Sequence, residues 1–382
     1  MSLYLDYNAS APIDERVLNV MVDTYKSGFG NADSRTHEFG DNARKKVEDA
    51  RESVASLFGV KKDEVFFTSG ATESNNIAIQ GLREYGLKNN KLHIITTSIE
   101  HKAVLESAKH LGESGFEIEY INPGRNGRID ADEIISKVRD DTLLVSVMHV
   151  NNETGVIQPV EVIGEYLSTR GVLFHIDATQ SSGKLVQEIQ NLKYDMMSCS
   201  AHKMHGPQGV GVLILKKKKY KLPPVKPIMY GGNQERGIRP GTLPTALIVG
   251  FGEACRIANE EYEINDAKCR EIKDIVLQLL EESGVEYVIN GDQDNCISST
   301  LNVSFIGVSS EALMLASKSY CGISNGSACT SSSYQPSFVL TAMGLDESIT
   351  KSAVRISWGP ETDANEFKNS ILQLIENAKS LT

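Results

Sequence analysis

A lysine between two histidines opens the chemical reading of this chain. Lys203 lies in SAHKMHG, residues 200–206, after an apolar strand that ends in small residues and before a Gly-punctuated apolar strand, 209–215. A lysine at such a strand end, apart from the solvated run Lys216 to Lys219, can be partly desolvated. Desolvation lowers a lysine's pKa and frees its amine for Schiff-base chemistry. Taken alone, a pattern of this kind more often marks a surface turn. Two more strand ends bear on the choice. In FFTSGATESNN, residues 66–76, a strand runs through Ser-Gly-Ala-Thr into a helix. Small residues let backbone N–H groups approach a phosphate, and a helix N-terminus favours the anion. An ordinary helix capped by Ser69 or Thr72 would read the same way. In LFHIDATQ, residues 173–180, Asp177 ends an apolar strand, where a carboxylate is costly unless paired. A protonated pyridine nitrogen would pair it, as would a cap or a salt bridge. Finally, Cys329 lies in SNGSACTSSS, where Gly and Ser leave a thiol accessible, while Cys199 has the apolar neighbours of a structural cysteine. Cys329 reads as a nucleophile or as a plain loop thiol.

The elements that must position these residues follow from periodicity. Strands at 64–68, 92–97, 117–121, 143–149, 172–177 and 195–200 alternate with helices at 75–84, 102–111, 131–137 and 163–169, after a helix at 40–58. This βα alternation predicts an α/β fold with a mainly parallel sheet and helices on both faces, and ligands in such sheets bind beyond the carboxyl ends of the strands. Past Thr242 the pattern changes to a long helix (244–283), strands at 286–289, 299–305 and 353–357, and helices at 310–317, 336–343 and 363–379. The expected division is a large unit, 15–255, and a smaller α+β unit made of 1–14 and 256–382, with the N-terminal strand returning to it.

Composition narrows the function classes. A net charge of −11 argues against broad binding to nucleic acid or to an anionic membrane. The start, MSLYLDYNASAP, shows no signal peptide, and no apolar run reaches spanning length. The six cysteines form no CxxC pair, which fits free thiols in a reducing cytoplasm. His202 and His205 are spaced H-x-x-H, but Gly206-Pro207 breaks any shared helical face, so no metal site is expected.

A phosphate cradle, a strand-end aspartate and a strand-end lysine, in that order, are what pyridoxal phosphate needs. With the motifs YLDYNASAP, TSGATESNN, EHKAVLES, MHVNNETG, HIDATQS, SAHKMHGPQGVG, GGNQERGIRPGT and SNGSACTSSS, the sequence resembles the NifS/IscS-like cysteine desulfurases of the class V aminotransferase fold (the fold type I pyridoxal-phosphate transferases) over nearly its whole length. The resemblance implies a pyridoxal 5'-phosphate cofactor held covalently by Lys203, with Asp177 opposite the ring nitrogen and Gln180 at the phenolic oxygen. It places His101 on the ring, where it also serves acid–base steps. Ala71, Thr72, Ser200 and His202 bind around the phosphate, joined by Thr242 from the other subunit of a homodimer. It assigns Asn152 and Arg355 to the substrate carboxylate and Cys329 to attack on the sulfur of L-cysteine. The implied products are L-alanine and a Cys329 persulfide, which an acceptor protein relieves of its sulfur for iron–sulfur clusters, tRNA thiolation or DNA phosphorothioation.

Three departures from the family pattern stand out. Pro240 occupies the turn before Gly241-Thr242, Gln234 stands at a position usually histidine, and the sequence stops at Thr382, where the family's housekeeping members continue into a scaffold-docking tail. The expectation is a stiffer Thr242 loop and a dedicated acceptor in place of the general iron–sulfur scaffold. The rival readings are a selenocysteine lyase or aminotransferase of the same fold, and a desulfurase-like scaffold without turnover.

Overall fold

The computed structural model describes residues 2–326 and 336–381. The chain begins with β1 (Leu3–Tyr4), α1 (Glu15–Ser27) and α2 (Glu38–Phe58). There follow β2 (Val65–Thr68), α3 (Ala71–Gln80), α4 (Arg83–Asn89), β3 (His93–Thr97), α5 (Lys102–Gly112), β4 (Glu117–Ile121), α6 (Ala131–Lys137) and β5 (Thr142–Met148). Next are α7 (Val160–Leu167), β6 (Leu173–Asp177), α8 (Val186–Asn191), β7 (Met196–Ser200) and β8 (Gly211–Leu215). Helix α9 (Thr245–Glu282) leads to β9 (Tyr287–Ile289), β10 (Thr300–Phe305), α10 (Ser310–Ser317), β11 (Cys321–Gly322), α11 (Phe338–Ala342), α12 (Glu347–Ser352), β12 (Ala353–Ser357) and α13 (Ala364–Leu381).

The large sheet has seven strands in the order β2-β8-β7-β6-β5-β3-β4. All run parallel except β8, which is antiparallel to both β2 and β7. The expected α/β architecture is therefore present, and the return through Gly206-Pro207 accounts for the one reversed strand.

Strand alternation sorts the side chains. Phe67, Val145, Val147, Phe174, Ile176, Met197 and Val212 face one core, closed by α2, α7 and the first half of α9. Phe66, Ile94, Leu144, Met196 and Leu213 face a second core under α3 and α5. By the same alternation Asp177 and Ser200, at the carboxyl ends of β6 and β7, stand on the α3 and α5 side. Both faces are buried, so these strands read as nearly continuous apolar runs.

Helix boundaries have local causes. His37 Nδ1 accepts from Gly40 N at the start of α2, and Gly59, at φ 62°, ends it in the left-handed conformation. Gly252 lets α9 meet α2 closely, since a Cβ there would lie 2.6 Å from Ala50 Cα. The helix expected at 75–84 differs: it starts at Ala71 and stops at Gln80, with Gly81 pressed against Val225 and Lys226 O. The short helices α8 and α12 are too brief to show periodicity and went unpredicted.

The second unit is a three-stranded antiparallel sheet, β12-β10-β9, beside the β1–β11 ladder. Its core joins Cys269 to Leu280 of α9 with Phe305, Trp358 and Phe367. Trp358 meets Phe367 edge-on at 5.6 Å and donates Nε1–H to Cys269 O. Strand β1 pairs parallel with β11, Leu3 beside Cys321. Helix α9 is continuous and contributes to both cores, so a division after Cys255 falls inside it. No described helix is long and apolar enough to cross a membrane.

Candidate active site

A cavity of about 880 Å³ opens between the carboxyl ends of the large sheet and the second unit. Ala71, Thr72, His101, Asn152, Asp177, Gln180, Ser200, His202, Lys203 and Arg355 all line it. Two predicted residues stand apart. Thr242 is exposed and does not line this chain's cavity, and Cys329 lies outside the described residues. Gly326, three positions before it, does line the cavity.

Lys203 is held by the N-terminal segment. Its Nζ donates to Asn8 O at 2.6 Å and Ala9 O at 2.7 Å. Asn8 itself donates Nδ2–H to Asn152 O, and its Oδ1 accepts from Thr300 Oγ1. The lysine is thus tied to both units through one buried asparagine.

Asp177 is 5 % exposed and accepts from Asn75 Nδ2 (2.7 Å), Thr179 N (3.0 Å) and Thr179 Oγ1. Hydrogen bonds to a charged group contribute about 1.5–3 kcal/mol each, enough to keep a buried carboxylate at the strand end. The cap-like bond to Thr179 N coexists with a place in the cavity lining, so the alternatives left open by the sequence are compatible.

The start of α3 resolves a different choice. Its N-cap is Gly70, with φ 153° and no side-chain cap bond, and neither Ser69 nor Thr72 caps it. Ser69 N is instead taken by Glu73 Oε2 at 2.6 Å, and Glu73 is fixed by Arg239 at 2.9 Å. The first-turn N–H groups of α3 therefore carry no side-chain cap. A Cβ on Gly70 would lie 3.6 Å from Ser200 Oγ, an ordinary contact, so it is the φ of 153° and not lack of space that favours glycine there. This is the geometry of an anion cradle.

His101 caps α5, its Nδ1 accepting from Ala103 N at 3.1 Å, which places the proton of the neutral ring on Nε2. The ring is open to the cavity. Even so, desolvation by the surrounding walls, with the Lys203 and Lys102 charges, holds its pKa below the ordinary histidine value, against the pull of Asp177. Burial, then Lys203, pushes His202 down to about 4, so at neutral pH it offers an N–H donor and no charge.

On the opposite wall Arg355, 4 % exposed, donates from Nη1 to Asn152 O (2.8 Å) and from Nη2 to Asp6 Oδ1 (2.6 Å). Among the described residues Arg355 Nε, Asn152 Oδ1 and Gln180 Oε1 are buried with no hydrogen-bond partner. An unmet buried polar atom costs about 1–3 kcal/mol, so this cluster around one cavity calls for a polar ligand.

The family model for class V aminotransferases matches residues 3–369. This chain belongs to that family. Within it, the chain falls among the cysteine desulfurases. It is 45 % identical to the cysteine desulfurase IscS of Pasteurella multocida (strain Pm70), over 99 % of this chain and 93 % of that protein. A solved NifS-like protein superposes with a TM-score of 0.92 at 36 % identity, covering 100 % of both chains. The structure titled SspA in complex with cysteine has a TM-score of 0.82 at 36 % identity, covering 95 % of this chain and 100 % of that one.

Two departures from the desulfurase pattern acquire a physical account. Gln234 donates to Asp33 Oδ2 (2.7 Å) and accepts from Gly241 N (2.9 Å), joining segment 29–37 to the Thr242 loop. Pro240 is buried against Gly231, a Cβ on which would be 3.1 Å from Pro240 Cβ. The neighbouring Glu235 accepts from Arg51 and from Phe67 N, anchoring the loop to β2.

Sequence reasoning missed Asn8, Asn75 and Glu153, although each stands inside a quoted motif. Their signal is a polar residue beside a strand end that must be buried. The lysine run is also less solvated than expected, with Lys217 paired to Asp63, Lys218 to Asp195, and Lys216 set 4.0 Å over the Tyr194 ring.

Proposed function

We propose that this desulfurase binds pyridoxal phosphate in the cavity and moves sulfur from L-cysteine to Cys329. The observation that carries the reading is the convergence on one cavity of Lys203, Asp177, an uncapped α3 N-terminus and Arg355. The unmet Arg355 Nε is a donor that fits a substrate carboxylate, while the unmet amide oxygens of Gln180 and Asn152 fit donors such as a phenolic O–H or a substrate amine.

Lys203 would hold the cofactor through its Nζ and, when released from it, would carry the proton removed from the substrate α-carbon. Asp177 would pair with the ring nitrogen and favour its protonated form by charge. Gln180 would contact the phenolic oxygen, and neutral His101 would meet the ring and offer its Nε2–H as a donor, Nδ1 being held by Ala103 N. Ala71 and Thr72 at the α3 start, with Ser200 and His202, would hold the phosphate. Arg355 and Asn152 orient the substrate carboxylate, the guanidinium fork suiting that planar group. When bound, the cofactor supplies an electron sink for the carbanion formed at the α-carbon.

Cys329, as thiolate, then attacks the substrate sulfur. A sulfur–sulfur bond forms, the substrate carbon–sulfur bond breaks, and its electron pair with a proton yields alanine. L-cysteine and one thiol become L-alanine and one persulfide, with no outside oxidant. The five described cysteines fit this role poorly: burial pushes Cys199, Cys269 and Cys321 up to about 12, and Cys255 and Cys296 also upward.

The reading includes a homodimer in which the exposed Thr242 enters the partner's cavity, a cytoplasmic setting, and an acceptor protein that takes the persulfide sulfur. Residues 15–255 form the cofactor-binding unit, and 1–14 with 256–382 the unit that carries Cys329. The test is holoenzyme Cys329→Ser, which keeps the cofactor's visible band and its change on adding L-cysteine, yet forms no persulfide and releases no alanine. Normal alanine release by this variant would refute the assignment.

A further inference from the structure

Glu153, in the NNETG turn after β5, takes no part in the chemistry described above, yet its carboxyl is among the most enclosed in the chain, the residue being 1 % exposed. A buried carboxyl persists where partners hold it. Two of its neighbours lie on either side of the segment that contains Cys329. On one side Ser337 Oγ donates to Glu153 Oε2 at 2.5 Å. The same Oγ accepts from Leu340 N and so caps α11, making the contact part of a fixed helix start. On the other side Gly326 lies flat against the carboxyl: a Cβ there would be 2.7 Å from Oε2 and 2.9 Å from Cδ. Gly326 also has φ 80°, a conformation natural to glycine.

The Glu153 backbone is anchored from both units. Its N–H donates to Asn151 Oδ1 (2.9 Å), and its carbonyl accepts from Asn302 Nδ2 of β10 (3.2 Å). The preceding carbonyl, Asn152 O, accepts from Arg355 Nη1. Arg355 in turn exchanges backbone hydrogen bonds with Ser324, two positions before Gly326. One short stretch, 152–153, therefore meets the proposed carboxylate-binding arginine and both stems of segment 327–335.

We propose that Glu153 is a positioning residue for sulfur transfer, its carboxyl anchoring the chain at Gly326 and at Ser337 and so fixing where the transfer cysteine is delivered relative to the cavity. The proposal rests on Cys329 being the sulfur acceptor. A residue three positions from a fixed Cα lies within about 11 Å of it, so anchoring Gly326 bounds the search of the thiol. Misplacement of a reacting group by about 1 Å can cost about 100-fold in rate.

The experiment uses the holoenzyme in rapid mixing with L-cysteine and follows two signals. The change in the cofactor's visible band reports substrate binding and proton removal, and quenched mass spectrometry reports the persulfide. For Glu153→Ala the first signal stays within about twofold of the unaltered enzyme while the persulfide rate falls at least about tenfold. Glu153→Gln keeps the size and an oxygen for Ser337, and restores the persulfide rate to within about threefold. An unchanged persulfide rate in Glu153→Ala, or an equal fall in both signals, would overturn the proposal. Should Glu153→Ala fail to fold, Ser337→Ala removes the donor on one stem alone; a selective persulfide loss of about threefold or more supports the role, and no selective loss refutes it. Cys329→Ser runs in parallel. If it still acquires the sulfur, the functional reading fails and the Glu153 role falls with it; if it does not, the Glu153 variants decide the proposal alone.

Discussion

The floor and the far wall of the cavity are built differently. The floor is the carboxyl edge of a parallel sheet: Asp177 ends β6 with donors from Asn75 and Thr179, and Lys203 follows β7 with its amine on two carbonyls. Its neighbours are buried strands, so its groups are fixed by the sheet register. The wall is assembled from distant pieces: Arg355 of β12, Asn152 and Glu153 after β5, and Asp6 near the N-terminus. On the proposed function, the groups assigned to the cofactor and the substrate amine sit on the rigid floor, and those assigned to the carboxylate and to placing the thiol sit on the composite wall. Damage to the floor should remove all chemistry, while damage to the wall should separate binding from transfer.

The largest effect expected is from the floor. Lys203→Ala loses the covalent attachment and the proton carrier together, so alanine release falls on the order of 10³-fold or more, and the visible band is lost. A variant that kept normal turnover would place the anchor elsewhere.

Arg355→Lys sharpens the contrast from the wall. The ammonium keeps the charge but not the planar fork, and it abandons the bonds to Asn152 O or Asp6. KM for L-cysteine rises by about 10- to 100-fold, equivalent to about one charge-assisted hydrogen bond, with a smaller change in kcat. Steady-state alanine release checks this, and a fall confined to kcat would contradict the assignment.

The sequence exposed the floor better than the wall, and the reason is physical. A floor residue stands at or just past the end of an apolar strand, so Asp177 is visible as a polar group at a buried strand end and Lys203 as an amine just beyond one. The wall depends on long-range pairing. Nothing local to Asp6 says that it meets Arg355, and nothing local to Glu153 says that it lies against Gly326. Motif resemblance supplied Arg355, Asn152 and Thr242, which periodicity alone does not distinguish. The α3 start was legible only as a choice between a cap and a cradle, and Gly70's lack of a side chain decides it.

Smaller effects come from groups beneath the floor. His175 is buried between Ser146 and Ser198, and burial pushes it down to about 4 from its ordinary 6.5, with Asp177 pulling the other way. The unfolded chain takes up a proton at this site between pH 6.5 and 4 and the folded chain does not, so this residue makes stability fall as pH drops through that window and leaves it flat above. His175→Asn should give a shallower dependence of the urea midpoint between pH 7 and 5 than the unaltered chain. An unchanged slope would contradict the buried neutral imidazole.

The smallest expected effect is on thiol reactivity. With their pKa values raised by burial, Cys199, Cys255, Cys269 and Cys321 are protonated at pH 8, so iodoacetamide should leave them unmodified in the native enzyme and label them after unfolding. Rapid native labelling of any of them would break the contrast between structural thiols and the transferring one.

The most direct test is to treat the holoenzyme with L-cysteine, block free thiols, and locate the added sulfur by peptide mass spectrometry. The account predicts one extra, reductant-labile sulfur on the peptide containing Cys329 and its absence in Cys329→Ser. Sulfur on Cys296 or another cysteine, or persistence of the extra sulfur in Cys329→Ser, would contradict it.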